Sequence, residues 1–227
     1  MKDKDTEHRR GLVIVAHPDD EILWCGGFIL SHPTWHWSVL SLCRGDDPDR
    51  QPRFFCSMTR LGASGKVDSM DDGPAQHPLS QEEIENAIRC HLGNETFDLV
   101  LTHGPRGEYT RHLRHEEVSK AVQSLWGKKI LRSKELWLFA YEDECRRHLP
   151  TAIAGAHRQE ALPFAIWKEK QDIIHTIYGF EEDSWEYQTT PDKEAFWCFR
   201  DVNDLLVWMG TERDDAFMHR EAAATSY

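Results

Sequence analysis

The sequence predicts an α/β fold built on a mostly parallel sheet, and three observations predict it. Short unbroken apolar runs recur, GLVIVA at 11–16, FDLVLT at 97–102 and LWLFA at 136–140, as in strands buried on both faces. Between the runs lie segments whose apolar residues fall at helical spacing. The 227 residues, 40% of them hydrophobic, supply a core for one large domain, and no repeat or low-complexity linker divides the chain. Strands alternating with helices pair in parallel through right-handed crossovers, and ligands then bind beyond the carboxyl ends of the strands.

The elements follow in order. Residues 11–16 form the first strand. Asp20 to Leu30 read as a helix with acid in its first turn, where the helix dipole favours it, and with Ile22, Leu23 and Leu30 for packing. Residues 35–43 (WHWSVLSLC) are a second strand, and 51–62 a helix closed by Gly62. Asp71-Asp72-Gly-Pro reads as a turn. Ser80-Gln-Glu-Glu83 is a capping box that opens a helix through Ile84, Ala87, Ile88 and His91. FDLVLT leads into a loop rich in Gly and Pro, and His112 to Trp126 is helical with Val118, Ala121, Val122 and Leu125 on one face. LWLFA, a helix over 165–178, a late strand over 195–200 and a short helix with a frayed end over 214–227 complete the reading.

Composition excludes several classes. With 27 Lys+Arg against 39 Asp+Glu, the net charge of -12 argues against a nucleic-acid binder that neutralises phosphates. Residues 1–10 are charged and lack the apolar core of a secretory signal, and no run reaches the roughly 18 apolar residues of a membrane span. The six cysteines are scattered with no C-x-x-C, which suits reduced thiols. A cytoplasmic protein with no membrane partner is therefore expected, and homo-oligomerisation is left open. Thirteen histidines direct attention to a metal or acid–base site.

Two segments carry chemistry. The first strand is followed by Ala16-His-Pro-Asp-Asp-Glu21, where a nucleotide-binding unit would place a Gly-rich turn. Two carboxylates there repel phosphate and suit a cation. His17 leaves the strand end, Asp20 returns to the same ion from the first helical turn, and Asp19 lies beside it, placed to take a proton from an activated water. The alternative is that Asp19 and Asp20 simply cap the helix. After FDLVLT comes His103-Gly-Pro-Arg-Gly-Glu-Tyr-Thr-Arg-His112-Leu-Arg-His115, which puts two imidazoles three residues apart on one helix face. One His, one Asp and a second His leave zinc, or another divalent transition metal, an open position for water. That is the equipment of amide or ester hydrolysis. Trp24 is a candidate for lining the pocket. Arg106 is a candidate for a substrate hydroxyl or phosphate, with a solvated loop arginine as the alternative.

AHPDDE after an N-terminal apolar strand, with G-E-Y-x-x-H-x-x-H about ninety residues later, resembles the LmbE/PIG-L family of zinc-dependent N-deacetylases. Ser41-Leu-Cys-Arg-Gly45, Arg60-Leu-Gly62 and the run from Phe97 to Tyr109 resemble the family's surrounding segments, so the likeness covers about 11–125 and fades beyond 180. It implies a Rossmann-like three-layer sandwich in a single LmbE-like domain over 1–227, with the metal-binding core over about 11–180 and an extension over 181–227. It implies a deacetylase acting on an N-acetylated amino sugar or its conjugate. It assigns His17, Asp20 and His115 as zinc ligands, Asp19 as general base and His112 as the group that stabilises the oxyanion or acts as acid. It makes Asp72 a candidate for substrate hydroxyls. Another amide or ester substrate, or a non-catalytic metal-binding role, are the alternatives. Two departures stand out. Many members read His-Pro-Asp-His where this chain has His112-Leu-Arg114-His115, and the helix over 51–62 has no acidic residue near Cys56.

Overall fold

A computed structural model of the chain describes residues 8–109 and 112–210. The order is β1 (Arg10–Val15), α1 (Asp20–Ser31), β2 (His36–Cys43), α2 (Arg50–Leu61), β3 (Ser64–Met70), α3 (Gln81–Leu92), β4 (Thr96–Thr102), α4 (Leu113–Gly127) and β5 (Arg132–Phe139). Then come β6 (Tyr141–Glu142), β7 (Thr151–Ala152), β8 (Arg158–Ala161), α5 (Phe164–Asp172), a π-helical turn (Ile173–Ile177), α6 (Trp185–Thr189) and β9 (Lys193–Phe199). Residues 202–210 are helical, and the short helix expected over 214–227 lies outside the described residues.

Seven strands form one sheet in the order β3-β2-β1-β4-β5-β9-β8. The first five are parallel, and β9 and β8 extend the edge antiparallel. The fold is thus the expected α/β sandwich. Alternation along β1 divides its apolar run between two layers. Leu12 and Ile14 pack with Ile84, Ile88, Val118 and Val122 of α3 and α4, while Val13 and Val15 pack with Ile22, Phe28, Phe54 and Met58 of α1 and α2.

Local signals account for most boundaries. The Ser80 hydroxyl accepts the Glu83 N–H at 3.2 Å, the capping bond expected at α3, and Gly62 ends α2 at φ 65° in the left-handed region. Elsewhere the structure departs from the sequence reading. The strand β3 reads SGKVDSM, polar and only partly buried, and so carries no apolar run to announce it. The helix expected over 165–178 is α-helical to Asp172 and then widens into the π-turn. No helix among the described residues is long and apolar enough to cross a membrane.

Candidate metal centre

The strands β1 and β4 lie side by side, with Gly11 opposite Leu99 and Ile14 opposite Thr102. From β1 the chain crosses to β2 on one side, and from β4 it crosses to β5 on the other. Their carboxyl ends therefore flank a switch point, where a crevice opens in a parallel sheet. His17 leaves β1 into this crevice, Asp20 opens α1, and His115 sits in the first turn of α4.

Three donor atoms converge there. His17 Nδ1 lies 3.2 Å from Asp20 Oδ2, His115 Nε2 lies 3.4 Å from the same oxygen, and the two nitrogens are 3.3 Å apart. A tetrahedral ion with bonds of about 2.0–2.1 Å holds its donors about 3.3–3.4 Å apart. The triangle thus fits zinc in both edge length and donor type. Two further triads have donor atoms within 4.8 Å of one another, His17-His112-His115 and Asp20-His103-His115. In the second, both nitrogens of His103 are engaged. Its Nε2 accepts the Ala16 N–H at 2.9 Å, and its Nδ1 faces Glu108 Oε2 at 2.9 Å.

Each imidazole of the triangle is backed by a carboxylate, the arrangement that fixes the tautomer of a metal-binding histidine. Glu108 Oε2 sits 2.6 Å from His115 Nδ1, and Glu108 Oε1 accepts the Gly104 N–H at 2.8 Å. Burial alone would raise the Glu108 carboxyl, but His103 and His115 outweigh it and hold it down at about 2. Asp72 Oδ1 lies 3.2 Å from His17 Nε2, and Arg44 binds the other oxygen of Asp72 at 2.7 Å. Asp20 is fixed in turn by Trp24, whose indole N–H donates to Oδ1 at 3.0 Å. Burial opposes the charge on Asp20, yet His115 and His103 keep its carboxyl well below the usual range.

Asp19 adopts φ 120° and ψ -30°, a region L-residues rarely occupy. Its carbonyl accepts the Ile22 and Leu23 N–H groups, its N–H donates to Glu21 Oε2, and its carboxylate meets Arg50 Nη1 at 3.3 Å. Burial and the neighbouring Asp20 raise its carboxyl well above the usual value, against the pull of Arg50. His112 stacks on His115 with ring centroids 4.2 Å apart, and its buried Nδ1 has no hydrogen-bond partner among the described residues. Burial, then His115 and His17, push His112 down to about 3, so its ring is neutral at ordinary pH.

A cleft of about 230 Å³ collects His17, Asp19, Asp20, Asp72 and His112. Trp24 is not on its lining and lies buried behind Asp20. Arg106 lines a separate groove of about 1090 Å³ along α4, which among the described residues shares only Tyr109 with the cleft. The cleft also presents Arg50, Trp185 and Glu186, none of which the sequence reading singled out, and Arg44, which it quoted only within the Ser41–Gly45 segment. Glu108 was visible only as part of the GEY run. Arg114 is buried and turns from His112 toward the loop carrying Asp72, donating to the Asp71 carbonyl at 2.6 Å and the His77 carbonyl at 2.7 Å.

The fold and site define an α/β protein with a His-Asp-His cluster, a candidate metal site, at the switch point of a parallel sheet. The chain belongs to the PIG-L family, described as GlcNAc-PI de-N-acetylase, whose family model matches residues 12–126. It is 23% identical over 130 residues to uncharacterized protein L374 of Acanthamoeba polyphaga mimivirus, a match covering 50% of this chain and 56% of that one. The chain thus spans about half the length of that curated relative. Among solved structures it resembles N,N'-diacetylchitobiose deacetylase from Pyrococcus horikoshii, with 16% identity, a TM-score of 0.63 and coverage of 85% of this chain and 84% of that one. It also resembles GalB, the 4-carboxy-2-hydroxymuconate hydratase of Pseudomonas putida, with 17% identity, a TM-score of 0.57 and coverage of 80% and 83%. At these identities the two structures share the fold with this chain.

Proposed function

We propose that the chain is a metal-dependent hydrolase that removes the N-acetyl group of an amino sugar or sugar conjugate. The observation that carries the reading is the triangle of His17 Nδ1, Asp20 Oδ2 and His115 Nε2, with edges of 3.2 to 3.4 Å, flanked by Asp19 and His112. Family membership and the diacetylchitobiose deacetylase likeness support an N-acetyl substrate. His17, Asp20 and His115 would hold zinc or another divalent transition metal. Such an ion supplies Lewis acidity toward the acetyl carbonyl and makes water acidic near neutral pH.

The remaining work falls to the chain's own residues. Asp19, fixed by its backbone bonds and by Arg50, accepts the proton of the attacking water. Its raised affinity for protons suits that role, and the proton it takes is then available to the departing amine nitrogen. His112, being neutral, serves as a hydrogen-bond donor to the carbonyl oxygen as negative charge develops there. Its depressed proton affinity favours this role over that of an acid.

The test is a panel of N-acetylated amino sugars and open-chain acetamides offered to the zinc-loaded protein, with metal content measured in parallel. About one zinc per chain is expected. Asp19→Ala is expected to retain it while losing at least about 100-fold in hydrolysis, the lower range for a general base. A fully active Asp19→Ala protein overturns the mechanism.

A further inference from the structure

The cleft has two unlike walls. One is charged, formed by Arg44 and Arg50 with Asp72 between Arg44 and His17. The other is aromatic. Tyr109 and Trp185 meet edge to face with centroids 4.7 Å apart, and Tyr109 in turn lies 5.4 Å from the ring of His115. The aromatic wall therefore runs from a metal-site histidine outward to Trp185, which keeps 37% of its surface exposed. Its segment is held in place. The Ser184 hydroxyl accepts the Tyr187 N–H at 3.2 Å, and the Trp167 indole donates to the Thr190 carbonyl at 3.0 Å. A large aromatic side chain exposed at a fixed position beside a reaction site is a binding feature, since one apolar face and few rotamers cost little to order. Trp185 and its neighbour Glu186, also on the cleft, lie outside residues 12–126, so the outer part of this wall is not part of what the family model matches, whereas Tyr109 is.

We infer that Trp185, backed by Tyr109, is the specificity wall of the cleft and receives the apolar face of a single sugar ring. The inference rests on the deacetylase reading for what is cleaved, but not for what is bound. A pyranose carries C–H groups on its face and hydroxyls around its rim. Laid on Trp185, it buries the first against an aromatic surface and turns the second toward Arg44, Asp72 and Glu186. The cleft volume of about 230 Å³ is below the roughly 300–1,000 Å³ of pockets for drug-sized ligands. One ring fits the cleft, and any conjugated remainder passes out beyond Trp185.

The probe is N-acetylglucosamine, titrated calorimetrically into zinc-loaded protein carrying Asp19→Asn, so that binding is read without turnover. Adding Trp185→Ala is expected to weaken binding about tenfold, equivalent to about 1.4 kcal/mol, with zinc content unchanged. Trp185→Phe is expected to recover most of the loss. The open-chain control N-acetylethanolamine should weaken less than twofold. Equal loss for both ligands, no loss for the sugar, or no sugar binding before Trp185 is changed overturns the inference. The two readings separate cleanly. A chain that hydrolyses no acetamide but shows the ring-selective loss keeps the wall and loses the deacetylase reading. A chain that hydrolyses amino-sugar acetamides with binding indifferent to Trp185 does the reverse.

Discussion

Asp19 stores strain at the point where the chemistry is proposed. A non-glycine residue at φ 120° costs about 1–3 kcal/mol, and it persists because bonds to α1 and Glu21 over-determine it. Asp19→Gly and Asp19→Ala both remove the carboxylate, but only glycine relaxes the backbone. Asp19→Gly should therefore be the more stable of the two by about 1 kcal/mol, after allowing for glycine's added unfolded-state entropy. Paired thermal melts check this, and an equal or lower stability of the glycine variant removes the strain argument. Glu108 gives a second prediction. Glu108→Gln replaces the acceptor that orients His115 and should weaken zinc affinity about 10–100-fold, as read by competition with a chelator. The site was legible in the sequence where its parts are consecutive, as in His17 to Asp20. Glu108 lay inside the quoted GEY run without a role of its own, whereas Arg50 and Trp185 gain meaning only when the fold brings separated segments together, so no local pattern marks those two.

At the scale of elements, α1 is held by a device no sequence pattern discloses. Lys170 of α5 and Glu194 of β9 form a fully buried pair with a 2.7 Å contact. Glu194 also accepts the Gly27 and Phe28 N–H groups in the middle of α1, each at 2.7 Å, while Lys170 donates to the Leu23 carbonyl at 3.2 Å. The pair thus clamps three segments, including the helix whose first turn carries Asp20. Gly27 permits the approach, since a Cβ there would come within 2.5 Å of Leu162 and 3.0 Å of Glu194. Lys170→Met strands a buried carboxylate and should destabilise the fold by about 3–5 kcal/mol. Adding Glu194→Gln should restore at least half of that, because the charge is gone while the amide oxygen can still accept a backbone N–H. Urea titrations of both variants test this, and a double variant no better than the single one argues against a stranded charge. The helices and apolar strands of this layer were readable from periodicity and caps. The polar edge strand β3 and the π-turn were not, because neither leaves a period in the residues.

For the whole molecule, the order of construction decides what metal removal does. Both faces of the sheet carry their own apolar layer, and neither layer depends on His17, Asp20 or His115 for its packing. The metal-free chain should therefore keep its fold and melt cooperatively. An ion at the centre would then link the segment after β1 to the start of α4, and so add stability by mass action. At a free zinc concentration of 100 Kd the gain is about 2.7 kcal/mol. For a domain of this size each kcal/mol raises the midpoint by about 2–4 °C, so zinc should raise Tm by about 5–10 °C. The variants separate the roles within the site. His115→Ala removes one corner of the triangle and should lose most of the shift. Asp19→Ala, which removes no corner, should keep it while losing hydrolysis. Calorimetric scans of chelator-treated and zinc-loaded protein supply the readout. If the chelated chain has no cooperative transition, the sheet does not stand without the ion, and the site is structural before it is catalytic. If Asp19→Ala loses the shift as fully as His115→Ala, then Asp19 belongs to the ligand set, and the proton acceptor must be sought elsewhere in the cleft.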